Sequence, residues 1–380
     1  MTPHKTCVYF ANWSVYQRKH FAVDIAVKHV THLFYAFVTI DVATGSVKLS
    51  DEWCDKQLPL ESPSQPGSQV TGSLQQIFQL KQLNRNLKLV MSIGGWGTEH
   101  LFQAVVADPN KLDRFVDTAV QFVVEYGFDG IDIDWEYPKS RQESLMLQQL
   151  LHRVRLRLDT VASDLILTIA APAGNENIDV LDLAGIDRYL SFWNVMCYDY
   201  AGSGWSSKTG FHSNLFGNNG DNDLCTSGVI NRYIQGGVPA SKLVMGMPMY
   251  GRSFNGVIKG EIGQAFSKDG GGNDTLDYKT LPVGKEYFDY KKVAAYCYDE
   301  SAKKWVSYDN HQSARIKAKY AELNGLGGGM WWDSCGENVD PDRSLIINYV
   351  DQVGGFDKLE QASNHLDIYA SSSYLKELLK

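Results

Sequence analysis

Eight short apolar segments alternate with segments of helical periodicity, and this alternation limits the possible folds more than any other feature of the sequence. The apolar segments are rich in β-branched and aromatic residues, and several are apolar on both faces, as strands of a buried parallel sheet are. They cover residues 7–11, 32–38, 87–93, 128–135, 165–171, 191–197, 243–249 and 326–332. Helical periodicity is clearest in residues 73–84, 111–126, 142–159 and 311–324.

Eight strands alternating with helices predict an α/β fold, a closed (β/α)8 TIM barrel. An open doubly wound sheet is the competing fold, but no glycine-rich phosphate turn follows the first apolar segment. We expect residues 1–251 and 310–380 to form the barrel. The interval 252–309 is too long for an unstructured loop, which predicts a small α+β insertion subdomain between strands 7 and 8. The loop 41–72 is also long, and we expect it to be ordered.

Composition limits the classes of partner. The chain has 36 basic and 44 acidic residues, so its formal net charge at pH 7 is −8. A negative surface repels polyanions, which argues against nucleic acid and membrane as partners. Aromatic residues make up 12% of the chain, and flat rings at a surface are suited to stacking on sugars. No run of 18 apolar residues occurs, so no segment is predicted to span a bilayer.

The N-terminal residues lack the basic segment, hydrophobic segment and cleavage site of a secretory leader. They predict an intracellular or non-classically secreted protein, or an extracellular one if a leader has been removed. The six cysteines form no CxxC pair and no metal-ligand spacing, so we expect reduced thiols rather than a disulfide framework. No sequence feature indicates an interface between copies, and a monomer is expected.

A row of three carboxylates, Asp132, Asp134 and Glu136, stands out in the segment 127–138. Residues two apart in a strand point to the same face, so these carboxylates share one face and the intervening apolar residues share the other. If the apolar face packs on the helices, the acidic face points into the barrel. Three crowded, buried carboxyl groups cannot all be charged, and a proton retained in this way is what general acid catalysis requires.

The acidic row has two other interpretations. The first is an amphipathic strand with a solvated face, which does not suit a strand flanked by helices in the middle of a barrel. The second is a divalent-metal site, but no histidine accompanies the row, and three acids along one strand make a poor coordination shell. The residues themselves therefore favour catalysis, with no metal and no cofactor.

The motif Asp129-x-x-Asp132-x-Asp134-x-Glu136 resembles the DxxDxDxE signature of family 18 glycoside hydrolases, the chitinases. Four further segments resemble motifs of the same family on separate strands and in the expected order. They are Ser92-Ile-Gly94-Gly95-Trp96, Met196-Cys-Tyr198-Asp199, Gly246-Met-Pro-Met-Tyr250-Gly-Arg252 and Gly328-Gly-Met330-Trp-Trp332. The resemblance covers nearly the whole chain and is strongest to the fungal branch that carries the α+β insertion.

The resemblance implies a retaining hydrolysis of chitin or chitooligosaccharides in which the substrate supplies its own nucleophile. Glu136 matches the acid that protonates the glycosidic oxygen and then acts as base for water. Asp134 matches the residue that orients the acetamido N–H, and Asp132 would share a proton with it. Tyr198 matches the phenol that hydrogen-bonds the acetamido oxygen, with Asp199 supporting this geometry.

The resemblance also implies a set of residues that bind the sugar chain. Trp332 matches the indole beneath the sugar ring at the cleavage site, and the insertion would form one wall of the cleft. The other matching positions are Tyr9, Phe37, Gly95, Trp96, Met196, Asp199, Tyr250 and Arg252, with Trp13 and Trp205 as further candidates. Ser92, Gly94 and Asp129 are expected to be structural members of the motifs. Non-proline cis peptide bonds are expected at Ala36–Phe37, Glu136–Tyr137 and Trp332–Asp333.

Three alternative functions follow from the same residues. A non-catalytic chitin-binding lectin would keep the cleft but usually lacks a carboxylate of the signature, whereas this sequence retains all four. An endo-β-N-acetylglucosaminidase acting on N-glycans would share the fold and the mechanism. A metal-dependent hydrolase would lose activity with a chelator.

Overall fold

The computed structural model describes residues 3–218, 224–268 and 274–379, and its central element is a closed barrel of eight parallel strands. Each strand pairs with its neighbours in chain order, and the eighth pairs with the first. The strands are Lys5–Ala11, His32–Ile40, Lys88–Gly94, Gly130–Asp134, Ile166–Ala171, Phe192–Val195, Leu243–Pro248 and Gly328–Trp332. Each overlaps a predicted apolar segment, and the predicted (β/α)8 barrel is confirmed.

Helices occupy the connections between most barrel strands and lie outside the barrel. The α-helices are Gly72–Leu83, Glu99–Val106, Pro109–Tyr126, Arg141–Asp159, Asn175–Asp179, Leu183–Asp187, Thr226–Gln235, His311–Leu323 and Leu345–Gln352. All four helices predicted from periodicity are present. The other five described helices have only 5 to 10 residues, which is too short to show a clear period in the sequence. In the described part of the chain, no helix combines the length and the apolar character needed to cross a membrane.

The helices on either side of the fourth strand begin and end at clear signals. Asp108 caps the helix Pro109–Tyr126 by accepting hydrogen bonds from the backbone N–H groups of its first turn, with proline at the first helical position. Gly127 ends that helix in the left-handed conformation with φ of 79°. Ser140 caps the helix that follows the strand. The fourth strand is therefore bounded closely on both sides, which sets where its side chains fall.

Two apolar layers lie on opposite sides of the barrel wall. The inner layer fills the barrel and includes Tyr9, Phe34 and Met330. The outer layer packs the strands against the helices and includes Ile131 and Ile133. Because side chains alternate along a strand, this outward packing turns the intervening carboxylates into the barrel, as predicted.

The connection between the seventh and eighth strands forms an antiparallel sheet of five strands. In spatial order these are Thr275–Asp277, Tyr250–Phe254, Lys304–Tyr308, Ala294–Asp299 and Lys285–Asp289. Among the described residues of this insertion, the helical part is the short 3₁₀ turn Tyr278–Thr280. The sheet begins at Tyr250, two residues before the predicted boundary, because that strand follows the seventh barrel strand almost directly.

The loop 41–72 is ordered and carries its own short elements. The strand Val47–Leu49 pairs antiparallel with the second barrel strand. A single wide helical turn, Trp53–Gln57, follows it, and the strands Pro59–Glu61 and Gln69–Thr71 pair with each other. All six cysteines of the protein are buried free thiols.

The N-terminal face of the barrel is covered by the segment 359–375. The Asn364 side chain donates hydrogen bonds to three backbone carbonyls, those of Lys81, Asn84 and Leu87. The Tyr369 hydroxyl donates to the carbonyl of Phe128 at 2.7 Å. This segment therefore satisfies the backbone groups at the lower ends of the helices and strands.

A buried ion pair lies under this cover. The Lys81 ammonium is 2.9 Å from a carboxylate oxygen of Asp129, and both side chains are fully shielded from solvent. The backbone N–H groups of Leu89 and His365 also donate to Asp129, each at 2.8 Å. Asp129 thus joins the third strand, the helix before it and the covering segment. It lies at the N-terminal end of the barrel, away from the C-terminal ends of the strands.

The Lys81–Asp129 pair yields a prediction for stability. Lys81→Met leaves a buried carboxylate without its counter-ion, so we expect the free energy of unfolding to fall by about 3–5 kcal/mol. Equilibrium urea denaturation would measure this change. Arg153→Met is the control, because Arg153 pairs with Asp113 on the exposed helix surface and its loss should cost about 1 kcal/mol or less. Equal effects of the two substitutions would contradict this account.

Candidate active site

A cleft of about 1300 Å³ lies at the C-terminal ends of the barrel strands. It contains most of the residues singled out from the sequence, although they come from distant parts of the chain. Those lining it are Tyr9, Trp13, Phe37, Gly94, Gly95, Trp96, Asp134, Glu136, Met196, Tyr198, Asp199, Trp205, Tyr250, Arg252 and Trp332. Asp132 and Ser92 lie beneath the cleft, and Asp129 lies at the opposite end of the barrel.

Asp132 is fully buried and held by three hydroxyl groups. Ser92 and Tyr9 donate hydrogen bonds to Oδ2 at 2.8 and 2.9 Å, and Thr168 donates to Oδ1 at 2.7 Å. Burial raises the pKa of Asp132, while these three donors act to lower it. Since hydroxyl donors favour the ionised carboxylate, Asp132 is the member of the row best suited to carry negative charge.

Asp134 lies one step nearer the cleft and has a different environment. Its Oδ1 atom is buried and accepts no hydrogen bond from the described residues. Burial raises the pKa of Asp134 well above its ordinary value, and the charges of Glu136 and Asp132 raise it further. A proton retained by the row is therefore more stable on Asp134 or Glu136 than on Asp132.

Glu136 follows the end of the fourth strand and lies half-buried in the cleft. Burial, together with the negative charges of Asp199 and Glu99, raises the pKa of Glu136 to about 7, although a hydrogen bond with Tyr137 acts to lower it. At a mildly acidic or neutral pH the group therefore retains a proton that it can transfer. This is the pKa that a general acid needs.

Asp199 contributes a fixed negative charge to the cleft. The Tyr250 hydroxyl and Arg252 Nε donate to its Oδ1 at 2.7 and 2.8 Å, and Arg252 Nη2 donates to Oδ2 at 2.8 Å. Burial would raise the pKa of Asp199, but His212 and the Arg252 guanidinium outweigh it and hold the pKa well below its usual range. Asp199 therefore remains ionised where Glu136 is protonated.

Aromatic rings cover one part of the cleft. Trp332 and Phe37 are stacked with ring centroids 5.5 Å apart, and Trp13 stacks on Phe37 at 5.9 Å. Trp96 lies elsewhere in the cleft and is 80% exposed, with its ring edge-on to Tyr137. Such exposed, flat apolar surfaces suit the faces of sugar rings. The expected cis peptide bonds are found at Ala36–Phe37, Glu136–Tyr137 and Trp332–Asp333.

The two glycines of the third-strand motif are required because other groups lie too close to their Cα atoms for a side chain to fit. Both have positive φ, 120° at Gly94 and 97° at Gly95. A Cβ atom on Gly94 would lie 2.2 Å from the carbonyl oxygen of Asp134, and one on Gly95 would lie 2.6 Å from the Phe37 ring. Only glycine allows this loop to pass so close to the acidic strand and to the aromatic surface.

Some site residues were not identified from the sequence. Thr168 is paired in register with Asp132, and Asn194 donates to the Tyr9 hydroxyl at 3.3 Å. Each is a polar residue within a largely apolar strand segment, and this is the sequence feature that could have indicated a role in the site. Arg18 bridges Asp333 and Asp277 across the cleft at 2.8 and 2.7 Å. Nothing in the local sequence of Arg18 indicates those partners.

An acid kept protonated near neutral pH beside stacked aromatic rings is the arrangement of a glycoside hydrolase. Comparison with protein families supports this class: the model for glycosyl hydrolases family 18 matches residues 5–337. The chain belongs to this family and is a glycoside hydrolase.

Relatives and solved structures agree with this assignment. The chain is 37% identical to Endochitinase 1 of Metarhizium robertsii over 95% of this chain and 88% of that protein. It superposes on the catalytic domain of psychrophilic chitinase B from Arthrobacter TAD20 with a TM-score of 0.86 and 25% identity, covering 96% and 98% of the two chains. A GH18 chitinase from Cycas revoluta in complex with (GlcNAc)3 gives a TM-score of 0.78 and 26% identity, covering 92% and 100%.

The charge arrangement predicts how the pKa of Glu136 responds to substitution. Asp199→Asn removes a negative charge that raises this pKa and leaves Arg252 less compensated, so we expect the pKa to fall from about 7 towards the ordinary glutamate range. Carbon-13 NMR of glutamate carboxyl groups would measure it, with Glu136→Gln to assign the signal. Asp117→Asn, on the exposed helix surface, should leave it unchanged; an unchanged value in Asp199→Asn would refute the coupling.

Proposed function

We propose that this hydrolase is a chitinase, which cleaves β-1,4 linkages between N-acetylglucosamine units of chitin or chitooligosaccharides. One observation carries the proposal furthest: the buried Oδ1 of Asp134, next to Glu136, lacks a hydrogen-bond donor among the described residues. A substrate with an amide N–H next to the cleaved bond would supply that donor. The names and bound ligand of the related proteins point to the same sugar.

Glu136 acts first as the acid in the proposed reaction. Its proton moves to the glycosidic oxygen as the bond from that oxygen to the anomeric carbon breaks. The carbonyl oxygen of the substrate's 2-acetamido group bonds to the anomeric carbon and gives an oxazolinium intermediate. Glu136, now ionised, takes a proton from water, whose oxygen attacks the anomeric carbon and opens the ring with retention of configuration.

Asp134 and Tyr198 orient the acetamido group in this proposal. The free Oδ1 of Asp134 accepts a hydrogen bond from the acetamido N–H. As the proton of Asp134 shifts towards Asp132, Asp134 gains negative charge that stabilises the positive charge developing on the ring. The Tyr198 hydroxyl donates to the acetamido oxygen. Asp132 takes part by sharing the proton of Asp134, and its three hydroxyl donors keep it in place.

The antiparallel insertion, residues 252–309, is proposed to form one wall of the substrate cleft. Thr275, Leu276 and Asp277, on one edge strand of its sheet, line the cavity. Arg252 lies on the neighbouring strand and contacts Asp199. A deep cleft of this kind encloses an extended sugar chain. The protein's net charge of −8 also favours a neutral polymer as partner over nucleic acid or membrane.

Substitution of Glu136 tests the reaction directly. Glu136→Gln keeps the size of the side chain and removes its transferable proton, so we expect kcat to fall by about two orders of magnitude or more. Hydrolysis of fluorogenic chitobiose and chitotriose measures the rate, and calorimetric binding of a chitooligosaccharide shows whether the cleft is intact. Glu322→Gln is the matched control and should keep wild-type activity, because Glu322 lies on the helix His311–Leu323 beside His4, outside the cleft.

Each other outcome identifies a different function. Oligosaccharide binding without turnover by the wild type would indicate a lectin. Release of glycans from a high-mannose glycoprotein, with chitooligosaccharides left intact, would indicate an endo-β-N-acetylglucosaminidase. A Glu136→Gln variant with more than a tenth of wild-type activity would refute Glu136 as the acid.

The aromatic surface should hold the sugar at the point of cleavage. Trp332→Ala removes the ring that stacks on Phe37, and we expect oligosaccharide binding to weaken by about 2 kcal/mol, as for a buried aromatic anchor. Titration calorimetry with the inactive Glu136→Gln background would measure it. Tyr290→Ala is the matched control, since Tyr290 is an exposed ring outside the cleft and should not affect binding. Equal losses would show that Trp332 is not a sugar platform.

A further inference from the structure

His212 is a buried histidine that no motif of the sequence identifies. Its side chain is fully shielded from solvent, and neither ring nitrogen has a hydrogen-bond partner at normal distance among the described residues. A buried polar group without such a partner is costly, so its retention calls for an explanation. The nearest charged group is Asp199, whose Oδ1 lies 3.6 Å from the imidazole Nδ1.

The backbone of His212 is fixed on both sides. Its N–H donates to the Ser307 hydroxyl at 3.1 Å, and its carbonyl accepts from the N–H of Tyr200 at 3.1 Å. The next residue, Ser213, is held as well, because its carbonyl accepts a hydrogen bond from Lys317 at 2.6 Å. Lys317 is itself buried and paired with Asp309. The imidazole is thus presented to Asp199 from a rigid support.

The ring of His212 also packs against Tyr250, which donates a hydrogen bond to Asp199. Its centroid lies 5.3 Å from that of Tyr250, and Tyr250 in turn meets Tyr198 edge-on at 6.2 Å. Asp199 has a φ of 61°, a left-handed conformation that is uncommon for a residue other than glycine and must be stabilised by its surroundings. The segment that carries Tyr198 therefore depends on contacts to the side chain of Asp199.

We propose that His212 is a positioning residue: its Nδ1–H, directed at Asp199, fixes the Tyr198–Asp199 segment so that the Tyr198 hydroxyl meets the acetamido oxygen of the substrate. An ionised carboxylate has no hydrogen to donate, so in the contact between Nδ1 of His212 and Oδ1 of Asp199 the hydrogen is on the imidazole nitrogen. Tyr250 and Arg252 hold Asp199 from the side of the insertion, and His212 holds it from the opposite loop. This inference rests on the proposed function, because it gives Tyr198 its role there.

Three substitutions separate the polar contact from simple packing. His212→Phe fills the space but has no nitrogen, so the polar contact that orients Asp199 is lost and we expect kcat on fluorogenic chitotriose to fall about tenfold. KM should change less than kcat, because the Tyr198 contact strengthens as the intermediate forms. His212→Asn places an amide N–H where Nδ1 stood and should recover much of the lost kcat. His212→Ala, which removes both volume and nitrogen, should be as slow as the Phe variant or slower.

A matched control is available at the other end of the barrel. His4 is also buried, and its Nδ1 also has no partner among the described residues, but it lies at the N-terminal face and packs against Tyr349. His4→Phe should leave kcat unchanged even if it lowers the unfolding temperature. Thermal unfolding of every variant shows whether a rate loss comes from the folded enzyme.

The outcomes distinguish this inference from the proposed function. A folded His212→Phe variant with wild-type kcat would overturn it, and so would an Asn variant no faster than the Phe variant. Should the Phe variant fail to fold, the smaller Asn variant decides: kcat near wild type together with a slow Ala variant supports the polar contact. A wild-type protein without any turnover would reject the proposed function itself.

Discussion

The register of three neighbouring parallel strands is the constraint on which the site depends. Ser92, Asp132 and Thr168 stand opposite one another on the third, fourth and fifth strands. A buried carboxylate is tolerated only where hydrogen-bond donors surround it, and this register supplies donors from both sides. A shift of one residue would turn the carboxylate to the apolar layer and the isoleucines into the barrel. Closure of the barrel fixes this register, and the register places the hydrogen-bond donors that stabilise the negative charge of Asp132.

The three carboxyl groups of the acidic row differ in how well each can carry a negative charge. Asp132 is saturated with donors, Asp134 is buried without enough of them, and Glu136 lies at the cleft with a raised pKa. Negative charge is therefore most stable at the bottom of the row, and a proton is most available at its top. The row separates its charges along a single strand by giving each carboxyl group a different neighbourhood.

Much of this could be predicted from the sequence, because the signals are local. Period-two alternation placed the carboxylates on one face, strand-like composition located all eight barrel strands, and the motifs identified the cleft residues. What remained hidden depends on contacts between distant segments. Thr168 becomes a site residue only through its register with Asp132, and Arg18 only through partners that lie far along the chain. The short helix Glu99–Val106 is too brief for its periodicity to be read.

The segment that covers the N-terminal face has a consequence for how the protein is made. Asp129, at the N-terminal end of the barrel beside the third and fourth strands, accepts a hydrogen bond from the backbone N–H of His365, 236 positions further along the sequence. Synthesis proceeds from the N-terminus, so the first half of the barrel emerges with this buried charge only partly compensated. Until the covering segment has been translated, the early strands can collapse but cannot complete their lower end. Completion of the lower end of the barrel is therefore a late step that follows translation of the covering segment.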